Sequence, residues 1–251
     1  LNIFPEYGER IKRKLITLHP PQALLINDLE DKCLSYELDS KIRFIFVGRD
    51  FFRKGGKQML EAFDKFKSRK DFELTIISDL ESGEENFSFF TESDRSECLK
   101  YILDNSSWIK YHSAKPNNEV LQLMKDSHVA LLPTWMDTYG YSVLECQASG
   151  CPVITTDLRA LKEVNNDDAG WLIKVPTNAL NHPMYSDMAD FNVFGETLRD
   201  GLVHALGSIF DDKNTIVTKA GNSMKRIRTK HSTADYSTVL GTIYNGAFAQ
   251  N

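Results

Sequence analysis

Two short segments of this 251-residue sequence carry residue types suited to gripping an anion. The first is Gly48-Arg49-Asp50-Phe51-Phe52-Arg53-Lys54-Gly55. Its leading glycine lacks a Cβ and lets backbone approach a ligand closely. Arg49 offers a planar fork and Lys54 a point charge, one near each end of the loop, so both can reach one phosphate. A solvated basic loop fits the same residues. The second segment runs from Pro133-Thr134-Trp135-Met136-Asp137 through Thr138-Tyr139-Gly140-Tyr141 to Glu145. A helix is predicted to start near Gly140 and Tyr141, and its first free amides make a phosphate site. Asp137 precedes that helix, and Glu145 lies about two turns into it. Carboxylates accept from paired sugar hydroxyls, so each suits a sugar ring. Asp137 equally suits helix capping, and Glu145 a surface position, although its apolar neighbours Leu144 and Cys146 argue against plain exposure.

These segments need a scaffold, and the hydrophobic rhythm supplies one. Apolar runs at 42–47, 72–77, 108–111, 129–132, 152–156 and 171–175 read as buried strands. Between them, residues 55–70, 94–103, 116 onward, 141–149 and a short stretch near Leu161 read as helices. Gly150 fits the position just past the fourth of these. Residues 78–92 and 177–192 read as loops, and the remainder to about Phe248 as two or three helices. Strands alternating with helices predict an α/β fold, a Rossmann-like doubly wound parallel sheet with C-terminal helices. Residues 1–20 read as a linker or crossover, 21–176 as the Rossmann-like domain and 177–251 as a helical extension. Ligands of such sheets bind beyond the carboxyl ends of the strands, where both chemical segments fall.

The order and spacing of these residues resemble the C-terminal, donor-binding domain of retaining glycosyltransferases of the GT-B fold, family four. Gly48-Arg49 through Lys54-Gly55 stand where that family has a G-R-x-x-x-x-K-G turn. Pro133-Thr134, Asp137, Tyr139-Gly140, Glu145, Ala148, Gly150 and Pro152-Val153-Ile154 follow its second motif, and Glu163 and Gly170-Trp171-Leu172 its later positions. The resemblance covers residues 41–176. It implies that Arg49 and Lys54 bind the donor diphosphate and stabilise the leaving nucleotide without a metal or other cofactor. It implies that Glu145 binds the ribose hydroxyls and that Asp137 faces the donor sugar. Asp137, Arg49 and Lys54 are then the residues acting in catalysis. Gly48 and the backbone around Tyr139, Gly140 and Tyr141 line the donor site, and the base packs near Tyr111 and His112. His112 also fits a surface histidine. Three positions depart from the family pattern. Asp137 replaces glutamate, Thr138 stands where glycine is common, and Arg159-Ala160 replaces a glycine pair. Arg159 can add a contact to an anionic donor.

Composition sets the outer limits. With 41% hydrophobic and 26% charged residues the chain is ordinary globular protein. A net charge of −5 does not point to nucleic acid as a partner. The basic run Lys225, Arg226, Arg228, Lys230 reads first as a solvated helix face and second as a peripheral contact with an anionic membrane. Cys33, Cys98, Cys146 and Cys151 match no zinc or redox spacing, which favours buried thiols in a cytoplasmic setting. A dinucleotide-dependent oxidoreductase needs G-x-G-x-x-G after the first strand, and residues 48–55 do not supply it.

The expectation is a glycosyltransferase donor domain. It uses a UDP- or GDP-sugar, transfers with retention, and serves polysaccharide biosynthesis through a carbohydrate or lipid-linked acceptor. That acceptor is expected on a separate N-terminal domain, since residues 1–40 are too few for a second Rossmann-like unit. The chain alone is then weakly active or inactive, and its last helices expose apolar surface. A non-catalytic nucleotide-sugar-binding module of the same fold is the alternative.

Overall fold

The computed structural model describes residues 5–33, 41–80 and 89–248. Six parallel strands form one sheet: β1 (Ile42–Val47), β2 (Phe72–Ile77), β3 (Ile109–His112), β4 (Val129–Leu132), β5 (Val153–Thr156) and β6 (Trp171–Ile173). Their spatial order is β3-β2-β1-β4-β5-β6, the doubly wound arrangement that the sequence predicts. Every residue of β4 and β5 is buried, so these short apolar runs need cover on both faces. The helices are α1 (Pro5–Lys14), α2 (Glu30–Cys33), α3 (Gly56–Asp64), α4 (Glu92–Asp104), α5 (Asn117–Asp126), α6 (Tyr141–Ala148), α7 (Leu161–Val164), α8 (Met188–Asp211), α9 (Asn214–Lys230) and α10 (Thr233–Phe248). Among these, α3 packs on α8, whereas α6 packs on α5 and α9.

The strand order decides where a ligand can enter. Chain order reverses between β1 and β4, which lie side by side with Phe44 against Val129 and Phe46 against Leu131. The connection from β1 runs outward to β2, and that from β4 runs the other way to β5. The loops after these two strands therefore part and leave a crevice between them, the usual binding place of such sheets. Those loops are residues 48–55 and 133–140.

Several boundaries differ from the sequence expectation. The segment expected as a linker holds the helix α1, with Tyr7 and Ile11 exposed. Helix α3 ends at Asp64 rather than near 70, because Lys65 and Phe66 donate to carbonyls three residues back and tighten the chain into turns. Phe66 still faces inward, 5.0 Å from Phe210, so the apolar period outlasts the helix. Strand β3 starts at Ile109, since the Trp108 amide closes back onto Asn105. Strand β6 stops at Ile173, and the Val175 amide donates to the Asp157 carboxylate instead. Helix α8 begins inside the expected loop, because the Asp187 side chain caps it by accepting from the Asp190 amide. Part of the loop expected at 78–92 lies outside the described residues, as do residues 1–4, 34–40 and 249–251. On the last helices, Val193 and Tyr244 are exposed. No helix among the described residues is long and apolar enough to cross a membrane.

Candidate functional site

The loop after β1 is held by the end of β2 and by a bridge within it. The Gly48 amide donates to the carbonyl of Ile77 at the end of β2. Asp50 sits at a φ of 65°, in the left-handed region that costs a non-glycine residue about 1 kcal/mol. Its amide donates to the Asp79 carboxylate at 2.8 Å, and its own carboxylate receives Arg53 Nε at 2.5 Å. Phe51 and Phe52 turn into the core. Arg49 is left exposed, with no hydrogen bond or ion pair from its side chain among the described residues. The stem of Lys54 lies over Gly48, whose missing Cβ would stand 3.2 Å from Lys54 Cγ.

The loop after β4 is held by its neighbours. Thr134 Oγ1 and the Trp135 amide both donate to the Arg53 carbonyl, at 3.1 and 2.9 Å, stitching the two loops together. The indole of Trp135 is fully buried, stacks on Phe191 and Phe194, and donates from Nε1 to Gln58 on α3. Asp137 then fills two roles at once. Its Oδ1 accepts from the Tyr139 and Gly140 amides at 3.2 and 3.1 Å, which closes the turn that leads into α6. Its Oδ2 receives Lys54 Nζ at 2.5 Å, with both side chains 13% exposed. The lysine of one candidate segment and the carboxylate of the other therefore meet across the crevice.

Glu145 lies on α6, half-buried, and its carboxylate has no partner among the described residues. Burial alone pushes its carboxyl above the usual range. That combination suits a carboxylate awaiting hydroxyl donors. Tyr139 is half-buried, its ring 5.6 Å from that of Tyr141, and desolvation pushes its hydroxyl up to about 12. That hydroxyl is hydrogen-bonded to His19 Nδ1 at 3.1 Å. Tyr141 is exposed at the first turn of α6. Tyr111 and His112 end β3, the edge strand beyond β2, two strands from β1 and three from β4. They are not adjacent to the crevice strands.

Sequence reasoning missed Trp135, Gln58, Thr134 and His19. An aromatic within a proline-led loop and a lone histidine before Pro20-Pro21 were the only signals available. The basic run of α9 is partly structural: Arg226 donates to the carbonyls of Val164 and Glu163, and Arg228 to that of Asn27. Lys225 and Lys230 remain exposed. Cys98, Cys146 and Cys151 are buried free thiols, and the side chain of Cys33 lies outside the described residues. A larger cleft, about 460 Å³, opens between α3, α4 and α8. Its cations Lys57, Lys65 and Arg199 are matched by Glu61, Asp64 and Glu97, and it sits on a helix flank. The crevice, not this cleft, has strand ends, unpaired charge and converging loops.

Residues 35–182, which contain both loops, match the family described as Glycosyl transferases group 1. The chain belongs to that family. The group 1 assignment agrees with the relatives it matches. The chain is 24% identical over 225 residues to the capsular polysaccharide biosynthesis glycosyltransferase CapM of Staphylococcus aureus, covering 87% of this chain and 50% of CapM. The first two curated relatives it matches are covered over 33% and 50% of their lengths. Among solved structures, it superposes on the C-terminal domain of the group 1 glycosyl transferase LpcC from Francisella tularensis. The TM-score is 0.58 at 17% identity, covering 85% of this chain and 96% of that domain. It also superposes on Anabaena HepE, solved with UDP and glucose, with a TM-score of 0.60 at 14% identity over 88% and 53% of the two chains. At such identities the likeness speaks for the fold, the Rossmann-like unit of a GT-B glycosyltransferase.

Proposed function

We propose that this group 1 domain binds the nucleotide-sugar donor of a retaining glycosyltransferase, with UDP or GDP as the nucleotide. The observation that carries the reading is the meeting of Lys54 and Asp137 at the topological switch point. Arg49 and Lys54 take the diphosphate, Glu145 takes the ribose hydroxyls, and Asp137 faces the donor sugar. Gly48 and the segment of Tyr139, Gly140 and Tyr141 bring backbone close to the ligand.

In the reaction, the acceptor hydroxyl oxygen bonds to the anomeric carbon on the face from which the nucleoside diphosphate departs. The bond from that carbon to the β-phosphate oxygen breaks, and the acceptor proton passes to that oxygen. Arg49 and Lys54 meet the charge that develops on the leaving diphosphate, work that preorganised cations do without a divalent ion. An acceptor, carbohydrate or lipid-linked, reaches the site from an N-terminal domain of the whole protein in a cytoplasmic setting. Polysaccharide assembly is the process favoured by the likeness to CapM.

Calorimetry with UDP and GDP tests the donor site. Millimolar or tighter binding of one nucleotide, weakened by Glu145→Ala, is expected. No binding of either to the unaltered chain removes the reading. A second reading, a non-catalytic nucleotide-sugar-binding module, draws on the double engagement of Asp137. Sugar transfer by the whole protein that disappears in Asp137→Ala decides against it.

A further inference from the structure

Arg159 lies on the loop between β5 and α7, at the same sheet end as the two crevice loops. It follows β5, whose end lies beside that of β4, and Thr156 Oγ1 donates to the Thr134 carbonyl at 2.9 Å to tie the two loop roots together. Two residues on, Leu161 packs its Cδ2 only 2.6 Å from where a Cβ on Gly140 would stand. The β5–α7 loop therefore leans on the start of α6.

Two features of Arg159 are costly for a purely structural residue. Its φ is 46°, in the left-handed region that suits glycine. Its guanidinium Nε is buried with no hydrogen-bond partner, and a desolvated donor without an acceptor is a net loss to the fold. Only its backbone is engaged, the amide donating to the Asn181 carbonyl at 3.0 Å. No salt bridge among the described residues involves its side chain, which lies within electrostatic reach of Tyr185, whose ring stands 5.7 Å from that of Trp135. Backbone strain combined with a buried guanidinium N–H that has no acceptor is the pattern of a residue kept for a ligand. The diphosphate already has Arg49 and Lys54, and the crevice carboxylate Asp137 is occupied by Lys54 and two amides.

We infer that Arg159 is a specificity-determining residue that recognises a carboxylate on the donor sugar, so that the donor is a nucleoside diphosphate uronic acid rather than a neutral hexose. This rests on the donor-site reading above. A fork-shaped guanidinium takes a planar carboxylate through two parallel hydrogen bonds, a match that a neutral hydroxymethyl group does not offer.

The test is calorimetry on the full chain, first with UDP and GDP, then with the acidic and neutral donors of whichever nucleotide binds: UDP-glucuronate against UDP-glucose, or GDP-mannuronate against GDP-mannose. The acidic donor is expected to bind about tenfold or more tightly. Arg159→Gly should erase that preference and leave affinity for the free nucleotide unchanged. Glycine suits the backbone at this position, so the variant should melt no lower than the parent. Arg159→Lys should keep part of the preference. Equal affinity for the two donors overturns the inference, as does a preference that survives Arg159→Gly. Loss of free-nucleotide affinity in Arg159→Gly also overturns it, because the guanidinium would then belong to the diphosphate. If neither UDP nor GDP binds, the donor-site reading falls and takes this inference with it. Nucleotide binding without acid preference removes the inference alone.

Discussion

Residues 48–55 and 133–140 each carry the chain from a buried strand into a helix, and each ends on a glycine in the left-handed region, with φ of 79° at Gly55 and 87° at Gly140. Their support differs. The first loop is held by the Asp50 carboxylate within it and by the end of β2 and Asp79 beside it, and exposes Arg49. The second hangs on other elements: Trp135 on α3 and α8, Thr134 on the Arg53 carbonyl, Asp137 on Lys54. Bonds made through backbone and Asp50 leave Arg49 unpaired in the first loop, whereas the second loop engages its own carboxylate, Asp137, with Lys54 and two amides. The glycines repeat the contrast. A Cβ on Gly55 would stand 1.9 Å from the Pro133 carbonyl oxygen, which is backbone, but one on Gly140 would meet the end of the Leu161 side chain.

The largest break in this comparison should come from Gly55→Ala. Positive φ and a backbone clash act together, and the expected loss is about 3 kcal/mol or more in chemical denaturation. Gly140→Ala should cost roughly half as much, since Leu161 can yield. Equal costs would show that the loops are equally rigid. Next in size are the cations. Lys54→Ala and Arg49→Ala should each weaken nucleotide binding about tenfold or more, read by calorimetry. Arg49→Ala should do so with an unchanged melting temperature, because its side chain has no partner among the described residues. A melting temperature that falls with Arg49 would mean that its side chain helps to brace the first loop.

Asp137→Ala should loosen the turn into α6, which its carboxylate closes through the Tyr139 and Gly140 amides, and cost about 1 kcal/mol, or about 2–4 °C in melting temperature. An unchanged melting point would mean that the second loop does not depend on this turn. Glu145 gives the smallest effect and a sign that can be checked. Its folded-state pKa is raised by burial, so the ionised form disfavours folding above the usual carboxyl pKa. That penalty fades as pH falls below the usual value. Glu145→Gln should therefore raise the melting temperature slightly at pH 7, about 1–2 °C, with no gain near pH 4. A gain that persists at low pH would assign the effect to packing rather than charge.

The strands and helices were legible because a buried parallel strand is a short apolar run and an amphipathic helix repeats every three to four residues. Gly48, Lys54, Gly55, Asp137, Gly140 and Glu145 were legible as chemistry because their types fall at strand-to-helix junctions, where backbone amides and charges are free to meet a ligand. Local sequence determined the elements and the identity of the groups. It did not determine which junctions face each other. That choice belongs to the strand order, which sets β1 beside β4 and so brings residues 83 positions apart onto one crevice, a Lys54–Asp137 bridge that no local pattern encodes. The same holds for the unpaired guanidinium of Arg159 and for Trp135, whose partners on α3 and α8 come from distant stretches of chain. Hydrogen bonds and ion pairs depend on where atoms finish in space. Only the folded sheet decided that these side chains share one site, and that Asp137 meets Lys54 while Arg49 stays unpaired.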